Sequence, residues 1–279
     1  MILLLACNGG DTDVVVETGL ADPIDFPLTI GPEDRPTEVT GPEDWRGVGE
    51  IPVVFMLHGY AANAAAQDLV LRLSTVVDSE RFLLVWSEGT KDDEHLQFWN
   101  ATDECCDFDD KQPDDVGYLI GLLDELEADW PISEVYFIGH SNGAYMSYRM
   151  ACEHPSRITA IAPLAGSSWL DPDDCTVGDP VSVLHMHPTD DDRVLYEGGT
   201  NYPSAEDLVL RWAERAGCSG STSGEDLDLI PSIEGSETSV TNYTGCGDHK
   251  VTLWSHKGAG HVPIFDQEFP GDLMGWLTR

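Results

Sequence analysis

The 279-residue sequence predicts an α/β protein, a single domain built on a mostly parallel, doubly wound sheet without a large lid. Three observations carry that expectation. Short runs that are apolar on successive residues recur along the chain, as strands covered on both faces require. Stretches with helical spacing alternate with them. No linker interrupts the middle of the chain, and its length suffices for one large, well-buried core.

The N-terminus reads Met1-Ile-Leu-Leu-Leu-Ala-Cys7, an apolar run ending in a cysteine. It is similar to a shortened bacterial lipoprotein signal with Cys7 as the lipidated residue, although the basic n-region is missing. Residues 8–48 are rich in Asp, Glu, Pro, Gly and Thr, which predicts an acidic tether whose later part adds an edge hairpin. The main folded unit is expected over residues 49–279. Its first strand is Ile51–Leu57, followed by a helix over Ala64–Val77 and a strand at Phe82–Trp86. A polar insertion then runs from Ser87 to Pro113. Asp114 and Asp115 cap a helix over Val116–Asp129, where Leu119, Leu122, Leu123 and Leu126 share a face. Further strands are expected at Val135–Ile138, Ile158–Leu164, Val181–His187 and Val251–Trp254. Helices fit Ser204–Ala216 and Leu273–Leu277, whereas residues 217–248 show little periodicity.

A net charge of -37, from 51 acidic against 14 basic residues, repels polyanions, so nucleic acid and anionic membranes are excluded as partners. Membrane contact is expected only through a lipid at Cys7, and the protein is expected to be a monomer. The Asp-rich patches lack the spacing of a calcium-binding EF-hand loop, and no metal or other cofactor is expected. Besides Cys7 there are six cysteines, an even number that favours disulfides in an exported chain. Cys218 and Cys246 are expected to pair across the Gly/Ser-rich excursion. Adjacent Cys105 and Cys106 are expected to reach different partners, Cys152 and Cys175.

The densest signal lies in Glu134–Met150, where Gly139-His-Ser-Asn-Gly143 separates a strand from a helix. A serine on such a turn is held clear of its backbone, and glycines flank it because strand and helix nearly touch there. A serine hydroxyl becomes a strong nucleophile only when a base takes its proton, and a carboxylate orients that base. Ser141, then Asp190, Asp191 and Asp192, and then His261 occur in that order, each just beyond an expected strand. Among nine histidines, His261 is favoured by its loop position beside Gly260, with His256 as the rival. His58 precedes the nucleophile and belongs to a different loop, His-Gly-Tyr60. Backbone amides of Tyr60 and Asn142 are the expected oxyanion donors. Trp99 and Asn100 are expected to line the cleft as substrate-binding residues, against the competing reading of Trp99 as a packed residue.

These motifs make the chain resemble secreted and lipid-anchored esterases grouped as polyhydroxybutyrate depolymerases and feruloyl or acetylxylan esterases. The matching stretches are Leu57-His-Gly-Tyr60, Phe98-Trp-Asn100, Asp114-Asp-Val-Gly-Tyr-Leu119, Gly139-His-Ser-Asn-Gly-Ala144 and Gly260-His261, with Val183-Leu-His-Met-His187 between. The resemblance implies an α/β-hydrolase fold, a Ser-His-Asp triad without cofactor, and an ester substrate that can be polymeric. It also places the acid on Asp191, although Pro188 and Leu195 replace a usual glycine and proline nearby. Val262-Pro263 stands where Trp-Pro is usual. Two other functions remain open at this point: a serine peptidase on the same scaffold, and a non-catalytic surface-binding lipoprotein.

Overall fold

The computed structural model describes residues 22–175 and 178–279, so Cys7 and the expected signal and early tether lie outside the described residues. In chain order the elements are β1 (Leu28–Ile30), β2 (Thr37–Thr40), β3 (Ile51–Leu57), α1 (Ala64–Leu71), α2 (Val77–Glu80) and β4 (Leu83–Ser87). There follow β5 (Thr90–Lys91), β6 (Gln97–Phe98), α3 (Asp115–Asp129), β7 (Ile132–His140), α4 (Asn142–Glu153) and β8 (Ala160–Leu164). The last are β9 (Ser182–Pro188), α5 (Ala205–Arg215), β10 (Gly220–Ser223), β11 (Thr238–Thr244), β12 (Val251–His256) and α6 (Phe269–Thr278).

Ten of these strands form one sheet, ordered β1-β2-β4-β3-β7-β8-β9-β12-β11-β10. The six from β4 to β12 in that order are parallel, and two antiparallel strands finish each edge. Successive side chains on a strand face opposite ways, and each face has its own core. Val53, Phe55 and Leu57 of β3 pack with α3, α4 and α5, where Phe55 stacks on Phe137 at 4.6 Å. Val54 and Met56 pack with α1 and α6 on the other side. The near-continuous apolar runs in the sequence are thus explained by burial on both faces.

The helix expected over Ala64–Val77 stops at Leu71, because Arg72 adopts a left-handed conformation (φ 56°) and a short 3₁₀ turn follows. The edge hairpin expected in the later part of residues 8–48 is present: β1 and β2 pair antiparallel and extend the main sheet, and Trp45 is buried in its core. The stretch 217–248 supplies β10 and β11, whose polar residues lie at an edge and therefore carry no apolar alternation. The cysteines also need one correction. Cys218–Cys246 and Cys152–Cys175 are bonded, but Cys105 pairs with Cys106 rather than with a distant partner. The peptide bond between them is cis and brings their Cα atoms to 3.0 Å.

Candidate active site

Ser141 sits between β7 and α4 with φ 54° and ψ -119°. A non-glycine residue held there stores roughly 1–3 kcal/mol of backbone strain. The neighbours show why the turn needs glycine. A Cβ on Gly139 would lie 2.2 Å from the Gly143 carbonyl oxygen, and one on Gly143 would lie 2.2 Å from the Leu57 carbonyl oxygen. Neither position has room for a methyl group.

The turn leaves Ser141 half-buried, with its Oγ 2.9 Å from Nε2 of His261. Nδ1 of His261 lies 2.9 and 2.8 Å from the two carboxylate oxygens of Asp191. Asp191 follows β9 and is only 4 % exposed. Burial works to raise its pKa, but the hydrogen bonds from His261 and from the amides of Arg193 and Val194 outweigh it. The carboxyl therefore lies below the usual aspartate value and is ionised near neutrality. An ionised carboxylate only accepts, so Nδ1 of His261 carries a proton and Nε2 presents its lone pair to the Ser141 hydroxyl.

The loops bearing these two residues are braced by other histidines. Nε2 of His140 donates to the His261 carbonyl at 2.8 Å, and burial holds the His140 imidazole neutral with a pKa of about 4. Nε2 of His187 donates to the Val194 carbonyl at 2.8 Å, closing the turn that carries Asp191. Because that carbonyl can only accept, the rest of the chain is fixed in direction. His185 Nε2 donates to His187 Nδ1 at 3.0 Å, and the Tyr148 hydroxyl donates to His185 Nδ1 at 2.9 Å. His256, the rival base, is fully buried against Phe265 and bonded to Thr238, remote in role from Ser141.

On the other side of Ser141 the holding groups are peptides. A Cβ on Gly59 would lie 3.4 Å from Cβ of Ser141, so the loop after β3 runs directly against the serine. The Gly59 carbonyl accepts from Nδ1 of His58 at 2.8 Å and from the Ala62 amide at 3.1 Å. In a trans peptide the N–H points opposite to the C=O, so pinning this carbonyl aims the Tyr60 amide away from those donors. Nε2 of His58 accepts from the Gly89 amide at 2.9 Å, and burial keeps this imidazole neutral with a pKa of about 4. Neither the Tyr60 amide nor the Asn142 amide has a hydrogen-bond partner among the described residues.

Trp99 has a different place from the one expected. It is fully buried and lines no cleft. Its indole N–H donates to the His58 carbonyl at 3.0 Å. Its backbone N–H and C=O pair with the side chain of Asn142 at 2.7 and 2.8 Å. An indole N–H taken out of water needs a partner, and the loop after β3 supplies it. Asn100 is half-buried; its amide and side chain bond Asp115 and the Pro113 carbonyl, so much of its polarity is spent within the insertion. The positioning role of His58 was missed from sequence. Its signal, a histidine at the end of a buried strand, is shared with several other residues here.

The fold is that of the α/β-hydrolases. An acetyl xylan esterase from Aspergillus awamori superposes with a TM-score of 0.66 at 13% identity, covering 91% of this chain and 99% of that one. A Bacillus cereus carboxylesterase gives 0.56 at 16% identity, covering 86% and 92%. No protein-family model matches the chain. In sequence it is similar to feruloyl esterase B of Piromyces equi, 26% identical over 64% of this chain and 33% of that protein. Feruloyl esterase D of Neurospora crassa is 29% identical over 52% and 45%, respectively. A bifunctional acetylxylan esterase/xylanase of Neocallimastix patriciarum is 23% identical over 76% and 29%. The chain spans less than half the length of these curated relatives. In sequence it is thus similar to feruloyl and acetylxylan esterases, and its fold is that of the α/β-hydrolases.

Proposed function

We propose that this chain hydrolyses carboxylic esters, with Ser141 as nucleophile, His261 as general base and acid, and Asp191 as the carboxylate that orients His261. The observation that carries the reading is the continuous line from Asp191 through His261 to the Ser141 Oγ, with contacts of 2.8 and 2.9 Å. Ser141 attacks the ester carbonyl while its proton passes to Nε2 of His261. Asp191 stabilises the imidazolium that forms and stays ionised. The tetrahedral oxyanion takes hydrogen bonds from the Tyr60 and Asn142 amides, worth a few kcal/mol each in comparable sites. The proton on Nε2 then leaves with the alcohol, and an acyl-enzyme remains. Water repeats the sequence, giving its proton to His261, and releases the acid with Ser141 restored. No cofactor takes part in these steps.

Feruloyl or acetylated polysaccharide esters are the favoured substrates, because the relatives named above carry those activities in their names. Polyester of the polyhydroxybutyrate type is the further candidate. The paired cysteines fit an oxidising, extracellular or envelope location, with Cys7 as the proposed lipid anchor and a monomer as the working form.

The test is a panel of p-nitrophenyl acetate, methyl ferulate, acetylated xylan and short polyhydroxybutyrate, run with wild type and Ser141→Ala. Ester turnover lost in the variant supports the reading. Preferential cleavage of a peptide anilide would replace it with a serine peptidase. A wild-type Ser141 that does not react with a fluorophosphonate probe would replace it with a binding protein.

A further inference from the structure

The carboxylate of Asp191 lies close to two imidazoles, not one. Its Oδ2 is 2.8 Å from Nδ1 of His261 and 3.7 Å from Nε2 of His187. The first contact is a hydrogen bond, and the second is just too long to be one. His187 Nε2 is instead directed at the Val194 carbonyl, 2.8 Å away. Were His187 to become a cation, Asp191 would have two positive partners to serve. How much of its charge reaches His261 therefore depends on what keeps His187 neutral.

Behind His187 runs a chain of groups that the ester chemistry does not use. Tyr148, His185 and His187 are at most 1% exposed. Three links join them: Tyr148 hydroxyl to His185 Nδ1, His185 Nε2 to His187 Nδ1, and His187 Nε2 to Val194. Each link needs one proton, and a phenol with two neutral imidazoles supplies three. A further proton on His187 Nδ1 would have to be accepted by His185 Nε2, so that His185 Nδ1 would donate to the Tyr148 oxygen. The Tyr148 proton would then have no acceptor in a fully buried site, a state folded proteins rarely tolerate. Burial also lowers the pKa of both imidazoles. Of the other groups acting on the pair, His256 and His261 come from the β12 side, His140 from the end of β7, and the Tyr196 ring packs on His187. None of them is an anion, so the negative charge that His187 meets is that of Asp191.

We propose that Tyr148 is a positioning residue: its hydroxyl fixes the direction of the His185–His187 chain, holds His187 on the Val194 carbonyl and leaves Asp191 to His261 alone. The role of Asp191 in that statement rests on the ester-hydrolase reading; the direction of the chain does not. In Tyr148→Phe either direction leaves His185 Nδ1 unpaired, so the bias against an added proton is lost and His187 can pair with Asp191 as a cation. The imidazolium formed on His261 during turnover then loses part of its counter-charge.

Proton–nitrogen correlation spectra of the full chain, labelled in its histidine rings, test the direction. Near neutral pH, His185 and His187 should both carry their proton on Nε2 in wild type, and Tyr148→Phe should show mixed tautomers. With p-nitrophenyl acetate, Tyr148→Phe should lower kcat about threefold at pH 8 and about thirtyfold at pH 6, with KM within about twofold. Rates are compared where the circular dichroism of the two proteins matches. Adding His187→Gln, whose amide donates to Val194 and accepts from His185 but takes no charge, should remove the extra loss at pH 6. A proton on Nδ1 of either ring in wild type overturns the inference. So does a loss equal at both pH values, as a simple packing defect would give, or one that His187→Gln leaves in place. If wild type fails to hydrolyse p-nitrophenyl acetate, the ester reading falls, while the spectra still decide the direction of the chain.

Discussion

The two sides of Ser141 are held by different means. Toward the ends of β9 and β12, Ser141 meets the proton-accepting ring of His261, aligned by Asp191 and braced by His140 and His187. Toward β3 and the insertion after β4, the contacts end on peptide groups, gripped by His58, Trp99 and Asn142. The contrast follows from the work proposed for each side. A proton shuttle needs one group whose charge changes, held in line by partners whose charge does not, whereas an oxyanion site needs dipoles fixed before the charge arrives. Breaking the first side should therefore abolish chemistry, and loosening the second should only slow it.

The largest expected effect is on the proton path. His261→Ala should lower kcat for p-nitrophenyl acetate by about 10⁶-fold, as should Ser141→Ala, because residues that act as a unit fail together. His256→Ala, on the same strand end, should keep kcat within about tenfold while lowering the melting temperature, since it removes a buried, bonded ring. The opposite pattern would move the base to His256. Next comes Asp191→Asn, expected to cost about 10⁴-fold in kcat through loss of the correct His261 tautomer, with little change in KM.

On the other side, Asn142→Ala keeps its own amide but releases the Trp99 backbone. It should lower kcat about 10–100-fold with KM nearly unchanged, less than loss of a whole oxyanion donor. A drop as large as that of His261→Ala would erase the contrast between the two sides.

Acid should destabilise both sides together. His58 and His140 have folded pKa values of about 4, and His256 about 3, against 6.5 for the free side chain. Between those limits the unfolded chain binds more protons than the folded one, so stability falls as pH drops from about 6.5 toward 4. Each buried imidazole contributes on the order of 3 kcal/mol to that loss. The lowered pKa of Asp191 acts in the same direction at still lower pH. A melting temperature that stays level from pH 6.5 to 4.5 in 1 M salt would contradict these buried, neutral rings. The smallest effect is general. With a net charge of -37, added salt at neutral pH should raise the melting temperature by a few degrees as carboxylate repulsion is screened.

Much of this arrangement was legible in order along the chain. The strand runs, α3 with its Asp114 cap, and the glycines around Ser141 depend on near neighbours, so local pattern sufficed. Trp99 shows the limit. Its sequence neighbourhood suits a cleft wall and a packed residue equally, and only His58 after β3 and Asn142 at the start of α4, both far along the chain, decide for burial. The adjacent cysteines show it again, because their pairing depends on a backbone geometry that composition does not encode.

By itself the sequence determined the fold class, the two-faced burial of the sheet and the sharp turn at Ser141, all of which rest on periodicity and sterics within a few residues. Tertiary structure decided which histidine faces Ser141, which donors pin the Gly59 carbonyl beside Tyr60, and which residue of α4 heads the histidine chain behind Asp191. Those outcomes depend on groups far apart along the chain, and only chain folding sets the distances between them.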